Sequence, residues 1–156
     1  MPHVKPVPDG YRSVIPYLIV ADGTAAIAFY QAVFGARIRL RLTRPDGRIG
    51  HAELDIGDSL VMLADEHPPV DAKAPAAYGG TPVSLHLYVA DVDAVTAKAL
   101  AAGAALKRPV ENQFYGDRLG TIVDPFGHVW HISTHIEDVS PKEIGRRAAA
   151  LHGSNP

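Results

Sequence analysis

The sequence predicts an α+β protein made of two tandem βαβββ modules that form a curved mixed sheet around a cleft. The first observation behind this is an internal repeat: Val20-Ala21-Asp22 recurs as Val89-Ala90-Asp91, and Gly35-Ala36 recurs as Gly103-Ala104. The offsets between matched landmarks stay between 68 and 70 residues along the chain. Such a constant spacing indicates a duplicated supersecondary unit. The second observation is an alternation of polar and apolar residues in the predicted strands, which gives each sheet one open face.

Composition narrows the function classes. The chain has 156 residues, 47% hydrophobic and 21% charged, which is typical of a globular protein with a core of its own. Cysteine is absent, which excludes disulfide scaffolds, cysteine-ligated zinc and thiol nucleophiles. The net charge is -2 and no basic run exceeds Arg146-Arg147, so we expect no nucleic-acid partner. We also expect no membrane span and no signal peptide, and therefore a cytoplasmic location.

The first module is predicted over 13–64, after an extended N-terminal arm over 1–12. Residues 14–20 are rich in β-branched side chains and predict a strand. Asp22 is placed to cap a helix that ends at Gly35. Three further strands are predicted at 36–44, 48–56 and 59–64.

A connection over 65–82 separates the modules, and its proline, glycine and charge content predicts an exposed loop. The second module, predicted over 83–134, repeats the order of elements in the first. The tail over 135–156 contains a predicted short helix, because Ser140 can cap it and Pro141 suits its first turn.

The tail helix carries Ile144 and Leu151 seven residues apart, which places them on one face. We therefore expect this helix to pack on the domain or on a partner subunit.

The strand 50–56 shows the two faces of the first sheet. Its small and apolar residues alternate with polar ones, so that Ala52, Leu54 and Ile56 point to one side while His51, Glu53 and Asp55 point to the other. The first set predicts the core side, and the second predicts a wet or functional side.

Several motifs together resemble the vicinal oxygen chelate superfamily, which includes glyoxalase I, extradiol dioxygenases, and fosfomycin-modifying and bleomycin-resistance proteins. The resemblance covers about 13–138. Its motifs are Phe29-Tyr30-x-x-x-Phe34-Gly35-Ala36, Gly50-His51-Ala52-Glu53-Leu54-x-Ile56-Gly57-Asp58-Ser59 and Asp124-Pro125-Phe126-Gly127-His128-x-Trp130. Three more motifs resemble the PhnB-like branch: Ser84-Leu85-His86-Leu87-Tyr88-Val89-x-Asp91-Val92-Asp93, Arg108-Pro109-Val110 and Gln113-Phe114-Tyr115-Gly116-Asp117-Arg118. The resemblance implies a small-molecule site and a homodimer.

In metal-dependent members of that superfamily, the first and last strands of each module supply the ligands. The corresponding positions here are Ile15, Val61, Ser84 and His131, of which only His131 is an ordinary metal ligand. A divalent site usually needs at least three nitrogen or oxygen ligands. The resemblance therefore predicts no metal at the standard position and no bound cofactor.

The candidate site residues follow from strand alternation and the motifs. Glu53, with His51 beside it, is the candidate general base. An equally weighted alternative is that Glu53 forms a cross-strand ion pair with Arg118 or Arg48. The candidate ligand-binding residues are Tyr17, Ser84, His86, Tyr88, Phe114, Tyr115, Arg118 and His131.

Two alternatives stay open for these residues. The strand residues can simply line a wet cleft and bond to one another or to water. Phe114 and Tyr115, expected in a loop together with Asp117 and Arg118, can instead plug the end of the core while Asp117 pairs with Arg118.

Two functions remain at this point. The first is binding of a small, planar or aromatic molecule in the cleft between the modules. The second is a lyase, isomerase or dioxygenase-type enzyme of glyoxalase-like character. It would use Glu53 as base with a displaced zinc, nickel or iron ion on His86, His131 and Glu53.

Overall fold

A computed structural model describes residues 3–153, and it divides the chain into two compact units. The first contains the described residues up to Thr81 together with Phe126–His128. The second contains Pro82–Pro125 and the described residues from Val129 onward. Residues 1–2 and 154–156, the ends of the predicted arm and tail, lie outside the described residues. Each unit has one four-stranded sheet, and the predicted α+β class with two βαβββ modules is confirmed.

The first unit has a sheet of order β1-β4-β3-β2, in which β1 runs parallel to β4 and the other pairs are antiparallel. Its elements are β1 (Tyr17–Val20), α1 (Gly23–Phe34), β2 (Arg37–Thr43), β3 (Ile49–Ile56) and β4 (Ser59–Asp65). Strand β1 begins at Tyr17 and not at Val14, because Pro16 cannot donate a ladder hydrogen bond and offers only its carbonyl, to the Met62 amide.

Helix α1 begins and ends as its sequence predicts. The carboxylate of Asp22 accepts from the Ala25 amide at 3.0 Å, and Gly35 ends the helix in the left-handed conformation. The helix buries Ile27, Tyr30 and other apolar residues, which covers one face of the sheet and leaves the opposite face open.

The second unit repeats this plan, with a sheet of order β5-β8-β7-β6 and β5 parallel to β8. Its elements are β5 (Ser84–Tyr88), α2 (Val92–Ala101), β6 (Ala105–Asn112), β7 (Asp117–Val123), β8 (Val129–His135) and α3 (Pro141–His152). Asp91 caps α2 by accepting from the Ala94 amide at 3.1 Å. Trp130 is fully buried, and its indole nitrogen donates to Asp124 at 2.9 Å.

The connection over 65–82 is more ordered than the predicted exposed loop. It contains two short 3-10 turns, Pro68–Val70 and Pro75–Tyr78, and Ala74 is buried. Asp65, predicted as the first residue of the connection, is instead the last residue of β4. It is buried and accepts from two backbone amides, those of Gly23 at 2.7 Å and Ile49 at 2.6 Å. Its carboxylate therefore links the start of α1 to the sheet.

The predicted tail helix is present, and the Ser140 hydroxyl accepts from the Glu143 amide at 3.2 Å. Its expected packing on the domain is wrong for Leu151, which is 65% exposed. Ile144, the other apolar residue of the predicted face, is half-buried. Polar contacts also hold the helix: Arg147 pairs with Glu137 at 2.8 Å and donates to the Phe114 carbonyl at 3.0 Å. Packing of Leu151 on a partner subunit stays a prediction.

Candidate functional site

The open face of the second sheet brings together polar side chains from three strands. The register pairs His86 with His131 and His131 with Thr121. Because side chains at paired positions point to the same face, Ser84, His86 and Tyr88 of β5 share this face with His131. The structure thus groups four of the predicted ligand-binding residues on one surface.

A cavity of about 420 Å³ lies on this face, which is within the size range of small-molecule sites. Two of its lining residues, His86 and His131, are candidates from the sequence, and their rings are 6.1 Å apart. Tyr115 is the third candidate in the wall. The full lining is His86, Arg108, Pro109, Glu111, Gln113, Tyr115, Leu119 and His131.

Both ring nitrogens of His131 have protein partners. Nδ1 is hydrogen-bonded to Thr121 Oγ1 at 2.8 Å, and Nε2 to Ser84 Oγ at 3.1 Å. Desolvation lowers the pKa of His131 below its ordinary value, and the charges of His86 and Arg108 lower it further. The imidazole is therefore neutral near pH 7, and it can both donate and accept a hydrogen bond.

A chain of hydrogen bonds continues from this face to the surface. The Tyr88 hydroxyl donates to Asp117 at 2.7 Å, Asp117 contacts His135 at 2.8 Å, and His135 contacts Asp138 at 2.8 Å. Burial alone would raise the pKa of Asp117, but the bonds from Tyr88 and His135 outweigh it and lower that pKa. The bonds to Asp117 and Asp138 raise the pKa of His135.

The turn between β6 and β7 forms one wall of the cavity through Gln113 and Tyr115. Phe114 packs edge-to-face on Tyr115, with ring centroids 5.2 Å apart. Gly116 has φ +102°, and an added Cβ would collide with the Glu137 carbonyl. The Gly116 carbonyl in turn accepts from the amides of Ile136 and Glu137, so the tail fixes the shape of this turn.

Two expectations for this region are wrong: the loop position of Asp117 and Arg118, and the pairing of Arg118 with Asp117 or Glu53. Asp117 and Arg118 lie in strand β7 and not in a loop. Since neighbours in a strand point to opposite faces, Asp117 lies on the open face while Arg118 lies on the helix side. There Arg118 pairs with Asp93 of α2 at 2.8 Å, so it pairs with neither Asp117 nor Glu53. Arg118 is not in the wall of the cavity.

The first unit carries the candidate base. Glu53 is 3% exposed and accepts from the Tyr11 hydroxyl at 2.8 Å, while its second oxygen, Oε2, has no hydrogen-bond partner within residues 3–153. His51 Nε2 is 3.9 Å from Glu53 Oε1, and His51 Nδ1 is hydrogen-bonded to Tyr17 at 2.8 Å. Desolvation, and then the charge of Glu53, raise the pKa of Tyr17. The ion pair with Arg48 expected as an alternative is absent, since Arg48 contacts Asp65 at 3.6 Å.

Sequence reasoning missed several residues of these sites. Tyr11 belongs to the arm, yet its ring lies under Arg39, which pairs with Asp55. The hydrogen bond to Glu53 also raises the pKa of Tyr11. No local pattern signals a contact between residues 42 positions apart. Arg108 and Gln113, by contrast, sit inside motifs that the sequence already singled out.

The donor set does not fit the superfamily's divalent metal. Ile15 is an apolar residue outside the strands, and Ser84 is already bonded to His131. The predicted correspondence of Val61 is wrong by one position, because Met62 pairs with Tyr17 as His131 pairs with His86. Among residues 3–153, no group of three or more His, Asp or Glu side chains is arranged to hold a metal ion. The alternative set of His86, His131 and Glu53 combines the two units and stays a prediction.

A family model described as the glyoxalase/bleomycin resistance protein/dioxygenase superfamily matches residues 5–132. The chain belongs to this superfamily. The match spans both βαβββ modules, in agreement with the duplicated sheets.

In the part of the chain that the structure describes, no helix is long and apolar enough to cross a membrane.

Similar proteins come from several bacteria. The Mycobacterium bovis protein Mb0911c is 42% identical over 132 residues, which cover 83% of this chain and 87% of that protein. TioX from Micromonospora sp. ML1 is 29% identical with a TM-score of 0.61, covering 83% of this chain and all of the other. A glyoxalase/bleomycin resistance protein/dioxygenase family enzyme from Burkholderia phytofirmans is 25% identical with a TM-score of 0.60, covering 77% and 95% of the two chains.

Proposed function

We propose that the second unit binds a small planar or aromatic molecule in the cavity on its open face. The observation that carries this is that two imidazoles, one phenol, one guanidinium and one carboxylate line a cavity of about 420 Å³. The rings of His86 and Tyr115 suit stacking on a flat ligand, while Arg108 and Gln113 suit its polar edge. The predicted cleft between modules is not needed for this binding and stays a prediction.

The neutral state of His131 defines what the cavity can recognise. With Thr121 and Ser84 on its two nitrogens, the ring is held in one orientation. Arg108 and Glu111 place one charge of each sign in the wall, and His131 adds a neutral ring, so the cavity favours a flat body with polar groups over a highly charged ligand.

A screen of one- and two-ring aromatic compounds by saturation-transfer NMR tests this function. Compounds that bind are then titrated into ¹⁵N-labelled protein. Bound compounds should shift the amide signals of Gln113 and Leu119, and Tyr115→Ala should weaken their binding about tenfold through lost stacking. Tyr78→Ala is the matched control, since Tyr78 is exposed and lies outside the cavity wall. Binding that shifts no signal in this cavity, or an equal loss in both variants, contradicts the proposal.

Catalysis by Glu53 is the second candidate, because a buried carboxylate with one oxygen that has no hydrogen-bond partner among residues 3–153 is suited to accept a proton. In a glyoxalase-like lyase or isomerase, Glu53→Gln should reduce turnover by about 10²–10⁴ while ligand affinity is kept. Asp58→Asn, at an exposed hairpin turn, is the control. If the protein only binds, Glu53→Gln changes affinity modestly and there is no turnover to lose.

We also propose membership of the PhnB-like branch and assembly as a homodimer. The branch motifs support the first, and the exposed apolar residues Ile38, Leu40 and Leu42 on edge strand β2 support the second. Light scattering at micromolar concentration should give twice the chain mass, and a single-chain mass contradicts the dimer.

Elemental analysis of protein purified without chelator should find substoichiometric metal. A cytoplasmic location stays a prediction.

A further inference from the structure

The first unit has a cavity of its own, of about 390 Å³. Two of its lining residues match lining residues of the second cavity: Tyr17 and Arg44 lie 69 positions before His86 and Gln113. The full lining is Tyr17, Ile19, Arg44, Gly50, Ala64, Asp65, His67, Val70 and Ala72.

The chemistry of this cavity differs from that of its counterpart. Ile19, Ala64, Val70 and Ala72 give it apolar walls, and the ring of Tyr17 offers a flat surface. The connection after β4 supplies part of this wall, whereas the second cavity is closed by the turn before β7. The first cavity therefore suits an apolar body.

The single carboxylate in the described lining is already satisfied. Asp65 accepts from the amides of Gly23 and Ile49 and lies 3.6 Å from Arg48. These contacts satisfy the Asp65 carboxylate, so it does not need a cation from a ligand.

Arg44 is in the opposite situation. Its Nη1 donates to Nδ1 of His67 at 2.6 Å, which is an uncharged acceptor, and its Nη2 donates weakly to the Glu66 carbonyl at 3.5 Å. Its Nε is buried and has no hydrogen-bond partner in the described part of the chain. The Asp46 carboxylate lies 3.7 Å from Nε and is largely exposed. The Arg44 side chain is 24% exposed, and none of its hydrogen-bond partners in the described part of the chain is an anion, so its guanidinium is open to a carboxylate.

We propose that this cavity binds a small monocarboxylate with an apolar body, whose carboxylate pairs with Arg44. A guanidinium and a carboxylate match in geometry and form charge-assisted hydrogen bonds. The apolar walls hold the rest of the molecule out of water. The site is separate from the proposed function of the second unit, and either can fail without the other.

Benzoate is the probe, with benzamide as its neutral match and acetate as an anion without the apolar body. Titration of ¹⁵N-labelled protein should show benzoate shifting the amides of Gly50 and Ala72 and the Nε–H signal of Arg44. Benzamide and acetate should each bind about tenfold more weakly than benzoate, since benzamide lacks the carboxylate and acetate lacks the apolar ring.

Three variants sharpen the test. Arg44→Met should weaken benzoate binding at least about tenfold, and Arg44→Lys should restore part of it, because charge returns without the planar fork. Arg41→Met is the matched control, an exposed arginine of β2 that is not in the wall. Val70→Asp leaves Arg44 in place and adds a negative charge at an exposed wall residue, so it should also weaken binding even if Arg44→Met does not fold.

The outcomes separate clearly. Equal binding of benzamide and benzoate, an unshifted Arg44 Nε–H signal, or equal losses in Arg44→Met and Arg41→Met overturn the proposal. Shifts confined to Gln113 and Leu119 would also overturn it and would place benzoate in the second unit instead.

Discussion

The two units share a backbone plan but differ on their open faces. Asp22 and Asp91 cap the two helices through the same contact with the amide three residues on. Asp65 and Thr134, 69 positions apart, each accept from the first backbone amide of the helix in their unit. The side chains that accept hydrogen bonds from the helix N-termini therefore recur in both units.

The facing side chains do not recur. One row of the first sheet contains a phenol, a thioether and a carboxylate, and the same row of the second contains two imidazoles and a hydroxyl: Tyr17, Met62 and Glu53 against His86, His131 and Thr121. The two units therefore share one backbone scaffold but carry chemically different side chains on their open faces.

The largest expected effect tests the shared scaffold. Asp65→Ala should lower the free energy of unfolding by about 3 kcal/mol, because two buried amides, those of Gly23 and Ile49, lose a charged acceptor. Thr134→Ala should lower it by about 1 kcal/mol, because Val92 loses a neutral one. Urea unfolding followed by circular dichroism measures both.

Asp58→Ala, at an exposed turn, should change the free energy of unfolding by less than about 0.5 kcal/mol. Equal losses for Asp65→Ala and Thr134→Ala would show that the two matched positions do the same work. The difference between charged and neutral acceptors would then not matter.

A smaller effect concerns the tail, which clamps the turn of the second unit. Arg147 bonds to Glu137, Glu143 and the Phe114 carbonyl, whereas the described contacts of Arg146 are with Glu143 alone. Arg147→Met should release the turn and speed proteolysis at the tail, since its hydrogen bonds to Glu137, Glu143 and the Phe114 carbonyl are lost.

Arg146→Met is the control on the same helix and should leave proteolysis unchanged, because exposed pairs contribute little. If both variants are cut at the same rate, the helix is held by something other than the Arg147 contacts.

The smallest effect is a pH response confined to the second unit. Asp117 and Asp138 raise the pKa of His135, so the charged ring stabilises the fold. This stabilisation is complete below the ordinary histidine pKa of 6.5 and is lost as pH rises through the raised value. The pKa of Asp117 is lowered, so its contribution to stability is complete above its ordinary pKa of 3.8 and is lost as pH falls below that value through the lowered one.

Melting temperatures from about pH 5 to about pH 9 should therefore fall on the alkaline side in the parent, and His135→Gln should flatten that fall. His152→Gln, at an exposed position of α3, should retain the parent profile. A parent profile that rises through this range contradicts the assigned charge state.

Local signals in the sequence predicted the fold well. Caps such as Asp22 and Ser140 act within three residues, and the repeat predicted the order of helix and strands along each unit. Alternation predicted that Ser84, His86 and Tyr88 share one face, and the register places His131 beside His86 on that face.

The remaining site residues depended on features without a local signal. Strand β7 starts at Asp117, which turns Arg118 to the helix side, and a loop interpretation could not show this. The bond from Tyr11 to Glu53 spans 42 positions. The spacing of Leu151 predicts an apolar face but not what covers it.

The buried indole has a practical consequence. Tryptophan occurs once in the chain, and Trp130 belongs to the second unit. Its emission therefore reports the loosening of that unit, whereas the helical signal in circular dichroism reports both units. Recording the two signals during one unfolding experiment reveals whether the halves of a duplicated protein come apart together or in sequence.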